Sequence, residues 1–148
     1  MAEANLAHEP LDAQLFERNM LAVASCHGPV CADRIRSARS DPRVGVQTSR
    51  SGHPVPFVGL GSRQALMHSR FDPVREAGRL ASSYSKAAFY VFLGLGAGYE
   101  AAAMLEADLV TRGLIVEYGA TTLRAVLERV DLTQDRKSTR LNSSHSLP

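Results

Sequence analysis

The chain has no tryptophan and only two cysteines, Cys26 and Cys31. The pair does not have Cys-x-x-Cys spacing, and no third cysteine exists to complete a zinc or redox centre. The expectation is two reduced thiols on a helical segment of a cytosolic protein. Long apolar runs are also lacking. None approaches the roughly 20 residues that a membrane-spanning helix needs, so no membrane partner is expected. Met1 to Asn5 shows neither the basic nor the apolar stretch of a signal peptide, which leaves a cytoplasmic location as the expectation. Internal repeats, a metal-ligand cluster, a Ser-His-Asp set and a carboxylate pair are all missing, so no catalytic residue is assigned.

Lysine is nearly absent before residue 135, where Lys86 stands alone among many arginines. From Asp135 the composition changes abruptly. The run Asp135-Arg136-Lys137-Ser138-Thr139-Arg140-Leu141-Asn142-Ser143-Ser144-His145 back-translates, codon by codon, into a common short-read sequencing adaptor. Residues 135–148 are therefore expected to be an artefactual, disordered tail, and the native part an N-terminal fragment ending near Gln134. The tail holds Arg136, Lys137 and Arg140 against Asp135. Removing these from the 17 basic and 15 acidic residues leaves 14 of each, so the formal charge of +2 vanishes. The basic pI thus carries no argument for nucleic acid, and none is expected as a partner.

What the chain does have is a patterned stretch from Ala88 to Glu117. An apolar run, Ala88 to Leu93, leads into Gly94-Leu95-Gly96-Ala97-Gly98-Tyr99-Glu100, then Ala101 to Leu105, then Leu114-Ile115-Val116 and Glu117. The pattern predicts a strand, a glycine turn, a helix and a second strand tipped by a carboxylate. Continuous apolar runs predict parallel strands covered on both faces. The glycines would let a ligand approach backbone amides at the helix N-terminus. Glu117 stands about where a dinucleotide-type unit places the acid that holds ribose hydroxyls. The candidate nucleotide-binding residues are Gly94, Gly96, Gly98, Tyr99, Glu100 and Glu117. Close strand–helix packing is the competing explanation for the glycines. Tyr99 stands where a third dinucleotide-fingerprint glycine would be needed, which argues against NAD or FAD.

Upstream, Leu11, Leu15, Met20 and Val23 with Phe16 predict an amphipathic helix, with Glu17, Arg18 and Asn19 on its outer side. His27-Gly28-Pro29 ends it. A second helix follows over Val30 to Ala38, with Val30, Cys31 and Ile35 turned inward. Val44 to Thr48 and Val55 to Val58 predict a hairpin in which Pro56 marks an edge strand. Gly59-Leu60-Gly61-Ser62 is read as a flexible turn, since no Lys-Ser/Thr follows to make a phosphate loop. Asp72 and Pro73 predict a helix start, and His68 with Asp72 is read as a buried polar pair and a cap. The expected organisation is α/β: a disordered N-terminus (1–11), a small α+β N-terminal subdomain (12–85), and the first β-α-β-α of a truncated Rossmann-like parallel sheet (86–134).

Three segments together resemble one family. They are Phe16 to Ala22, the run His68-Ser69-Arg70-Phe71-Asp72-Pro73-Val74-Arg75-Glu76-Ala77, and Phe92 to Glu100 followed by Ile115-Val116-Glu117. The family is that of the motility-associated factor (Maf) glycosyltransferases, related to the archaeal 6-hydroxymethylpterin pyrophosphokinase MptE. The resemblance spans residues 14–133. It implies a CMP-sugar donor and transfer of a nonulosonic acid to flagellin Ser or Thr; the fragment itself is expected to be inactive, because a parallel-sheet site needs at least a third strand. One departure is Glu117-Tyr118, where the family carries Glu-Pro. Two other readings stay open: a non-catalytic accessory module of a larger enzyme, and a methyltransferase-like fold binding S-adenosylmethionine. Methyltransferases generally place an acid two residues before the first glycine, whereas this chain has Phe92.

Overall fold

A computed structural model describes residues 12–133. The expectations for the N-terminus and for the adaptor-like tail fall outside the described residues.

Two helices open the fold. Asp12 caps α1 (Ala13–His27), its carboxylate accepting from the amides of Gln14 and Leu15 at 2.9 and 3.0 Å. Gly28, at φ 84°, separates α1 from α2 (Pro29–Ser37), whose first residue is the proline. The inward face of α2 differs from the expected one. Val30 is 80% exposed and Cys31 is exposed, while Ala32 and Ile35 are buried. Pro29 starts the helix and so fixes its phase, which turns Ala32 and Ile35 inward at i, i+3 spacing. Asn19 is also corrected. It is buried at 1% exposure and does not lie on the outer face of α1.

An antiparallel sheet follows, β1 (Val44–Thr48), β2 (Pro54–Leu60) and β3 (Arg63–Leu66), in the order β1-β2-β3. β3 is an added strand, and it makes β2 central, so Pro56 does not lie on an edge. The ladder tolerates Pro56 because β3 pairs only as far as Leu66 opposite Phe57. Just beyond it the Pro56 carbonyl accepts from the Met67 amide at 2.9 Å. The missing N–H therefore faces the side that β3 has left. The Phe57 ring lies over Gly45, its partner across the sheet, where a Cβ would sit 2.4 Å from the ring.

Helix α3 (Pro73–Ala81) starts as expected, with Asp72 accepting from the Arg75 amide at 3.0 Å. Then β4 (Ala87–Leu93), α4 (Tyr99–Glu106) and β5 (Val110–Val116) form a β-α-β unit whose strands pair in parallel, Phe89 opposite Arg112 through Leu93 opposite Val116. The architecture is mixed α/β, with alternating strand and helix segments and a two-stranded parallel sheet. Among the described residues, only one face of that sheet is covered. Tyr90 and Phe92 pack with Ala81, Met104 and Val110, whereas Phe89, Val91, Leu93, Leu114 and Val116 are 40 to 70% exposed. The expectation of burial on both faces fails here because α3 and α4 contribute to one face and no described element covers the other.

Helix α5 (Ala120–Leu127) joins the two halves. Its Ala125 and Val126 share a core with Val44, Val46, Ala77, Ala97 and Tyr99, and its Leu127 packs with Phe16, Met20 and Ile35. Side chains from both sides of residue 85 thus meet in one cluster. No helix among the described residues is long and apolar enough to cross a membrane.

Candidate functional site

The site forms at the carboxyl ends of β4 and β5, where the chain leaves the sheet in two loops. The Gly94 amide donates to the Val116 carbonyl at 2.8 Å, the last rung of the parallel pairing. Gly94, Gly96 and Gly98 all have positive φ (87°, 54° and 76°), which lets the backbone reverse direction within five residues. Gly98 then acts as the N-cap of α4, and its own amide donates to the Leu95 carbonyl at 2.8 Å.

Two side chains from distant segments hold the amides of this loop. Glu117, half-buried just past β5, accepts from the Leu95 amide through Oε1 at 2.5 Å. His68 accepts from the Ala97 amide through Nε2 at 2.8 Å. The His68 ring fills the space beside Gly96, where a Cβ would lie 2.4 Å from Nε2. Gly96 is therefore needed twice, for its backbone conformation and for the close approach of the imidazole. The buried Tyr99 stands edge-on to His68, ring centroids 4.9 Å apart, and its hydroxyl donates to the Pro54 carbonyl on β2 at 2.8 Å.

Beside the loop lies a cavity of about 340 Å³. Its apolar wall comes from Phe92, Ile115, Leu123 and Val126, and its polar groups are His68, Glu100, Glu117, Tyr118 and Thr122. No lysine or arginine among the described residues lines it. A second, more open groove shares His68 and Glu100 with the cavity and is lined also by Arg70 and Glu76.

The structure brings four of the six sequence-predicted residues to the cavity: Gly94, Gly96, Glu100 and Glu117. Gly98 and Tyr99 are not among the lining residues. The Cβ position of Gly98 faces the side chains of Leu95 and Leu132 at 3.6 and 3.9 Å, and Tyr99 belongs to the core. The sequence reads His68 as one of a buried polar pair with Asp72. Asp72 does cap α3, but His68 turns to the glycine loop. The wall residues Thr122 and Leu123 come from α5, and only their helical periodicity marks them in the sequence. Among the described residues, no group of three or more His, Cys, Asp or Glu is placed to hold a metal ion.

The arrangement suits a ligand that offers hydroxyl donors to Glu117 and a flat or apolar part to the wall. One oxygen of Glu117 holds Leu95, and a carboxylate keeps further lone pairs for a ligand. Comparison of the chain with protein families, with curated proteins and with solved structures returns no match.

Proposed function

We propose that the cavity is the nucleoside end of a nucleotide-sugar site, in a Rossmann-like half-domain of a cytoplasmic CMP-nonulosonate glycosyltransferase acting on flagellin. The observation that carries this reading is the position of Glu117. It directly follows the second parallel strand, reaches back to the glycine loop, and lines a cavity large enough for a nucleoside. Ligands of parallel α/β sheets bind outside the carboxyl ends of the strands, and an acid there accepts from ribose hydroxyls. The sugar, the acceptor and the chemistry of transfer come from the family resemblance alone.

Calorimetric titration with CMP and with CMP-N-acetylneuraminate tests the proposal. Hydrogen bonds to a charged group are worth about 1.5–3 kcal/mol, so Glu117→Gln is expected to weaken CMP binding by roughly 10- to 100-fold. Its melting temperature should change little. Unchanged affinity, or no binding by the wild type, removes the reading.

A specific observation favours a second reading. The cavity wall carries two carboxylates, Glu100 and Glu117, beside the His68 imidazole, and no lysine or arginine among the described residues. That electrostatic balance suits a nucleoside with positive charge, such as the sulfonium of S-adenosylmethionine, better than a phosphodiester. Against it stands Phe92, where methyltransferases generally carry an acid. Titration with S-adenosylmethionine beside CMP separates the two.

A further inference from the structure

We infer that His68 is the positioning residue of the glycine loop, and that it holds the loop in its cavity-lining shape only as a neutral imidazole. The direction of its hydrogen bond requires this. Ala97 N–H donates to Nε2 at 2.8 Å, so Nε2 must present a lone pair and the ring proton must sit on Nδ1. An imidazolium would turn an N–H towards an N–H, and the bond would be lost.

The surroundings fix the ring in place. His68 fills the space beside Gly96 and meets Tyr99 edge-on at 86°. The next residue is tied to α3: the Ser69 amide donates to Glu76 Oε2 at 2.8 Å, and the Ser69 hydroxyl accepts from the Phe71 amide at 3.2 Å. The segment from His68 to Glu76 therefore works as a unit, with one end capping α3 and the other shaping the loop. The charged and titratable groups around the ring come from several elements. Glu100 on α4 and Glu117 after β5 share the cavity with it, Arg70 and Glu76 share the groove, and Tyr99 stands between His68 and His53. With so many groups present, the test must isolate His68 by substitution.

The consequence for ligand binding rests on the nucleoside reading of the cavity; the positioning role does not. The experiment reads both on the full chain. Nitrogen-edited NMR follows the Ala97 amide and its exchange protection from about pH 8 to pH 5.5, the range across which histidines ordinarily titrate. Titration of CMP covers the same range. In the wild type, the Ala97 resonance should move and its protection fall as the pH drops, while CMP affinity falls about tenfold, the worth of one net hydrogen bond. His68→Gln places a carboxamide oxygen at about the reach of Nε2 and cannot titrate, so Ala97 should stay protected and CMP affinity should be flat with pH. His68→Phe keeps a ring against Tyr99 but loses the acceptor, and should show the low-pH behaviour throughout. A His68→Gln variant as pH-sensitive as the wild type, or an Ala97 amide indifferent to pH in the wild type, overturns the inference. Titration of Ala97 with His68 in the absence of any CMP binding upholds the positioning role and removes only the nucleotide reading.

Discussion

Asn19 commits both of its amide hydrogens to the end of a helix more than a hundred positions away. They go to the carbonyls of Leu127 and Val130, each at 2.8 Å, and its Oδ1 accepts from the Leu132 amide at 3.1 Å. The last carbonyls of a helix have no partner within it, and burial without one is costly. Here α1 supplies the cap for the end of α5. Arg124 returns the favour to α2, donating to the carbonyls of Arg36 and Ala38 while its guanidinium lies over Phe16. Asn19→Ala would leave two carbonyls and one amide without that partner, at about 1–3 kcal/mol for each buried group left unsatisfied. Water entering the gap would recover part, so a loss of about 3 kcal/mol is expected in urea denaturation. Asn19→Asp should cost at least as much, because it sets a carboxylate against two carbonyl oxygens. A loss well below 1 kcal/mol for either would show that the cap does not hold α5 in place.

At the scale of the elements, β1 is tethered to α5 by Asp41. Its amide donates to the Thr121 carbonyl at 3.2 Å, and its carboxylate accepts from the Arg43 backbone amide at 3.0 Å and from the Arg43 guanidinium at 2.8 and 3.1 Å. The hydrogen bond from the Arg43 side chain, followed by the one from its backbone, lowers the Asp41 pKa from the ordinary 3.8. A carboxyl whose pKa is depressed on folding binds its proton more readily when unfolded. Its contribution is therefore full above the ordinary value and is lost as pH falls through the lower folded one. Asp41→Asn should remove that part of the acid sensitivity, seen as a smaller loss of stability between about pH 5 and pH 2 in melts of the two proteins. Identical acid profiles would show that the ion pair is screened to nothing. These elements also show what sequence reading reaches. The bounds of β1, β4 and α4, the start of α3 and the end of α1 follow from caps, Gly-Pro punctuation and apolar runs, all of them local, whereas β5 begins at Val110, four residues before the apolar run Leu114 to Val116 that marks it in the sequence. β3 is not legible in the sequence, because Arg63-Gln64-Ala65-Leu66 is exposed throughout and neither alternates nor carries a β-branched residue. Asn19 was placed outside because a polar residue on a helix reads as solvent-facing until its partner carbonyls are known. At the site, Glu117 was legible from its place at a strand end. His68 was not, because its partner Ala97 is 29 positions away and nothing local marks the pairing.

At the scale of the whole molecule, the central asymmetry is that, among the described residues, the parallel sheet has one packed face and one bare face. Phe92 belongs to the packed side, touching the cluster of Ala81, Met104 and Val110 and lying over Gly113, where a Cβ would meet its ring at 3.0 Å. Val91 and Leu114 are paired across the two strands on the other side, 51% and 49% exposed. A contiguous apolar patch of this kind is rare on monomers and favours self-association. The double substitution Val91→Thr with Leu114→Thr keeps residues that favour strands, and at exposed positions it should change stability by no more than about 0.5 kcal/mol. It should also lower the binding of a hydrophobic dye and the tendency to associate in light scattering. Phe92→Ala is the contrasting change. It opens a hole in the packed face and should cost about 2–3 kcal/mol, somewhat under the range for fully buried aromatics because Phe92 is half-buried. The sign of the difference is what matters. If the threonine pair destabilises as much as Phe92→Ala, both faces of the sheet are packed in solution, as the apolar runs led one to expect. If the threonine pair leaves the melt unchanged and abolishes dye binding, the sheet stands with one side open, and its packed side, through Phe92 and Ile115, walls the cavity together with Leu123 and Val126 of α5.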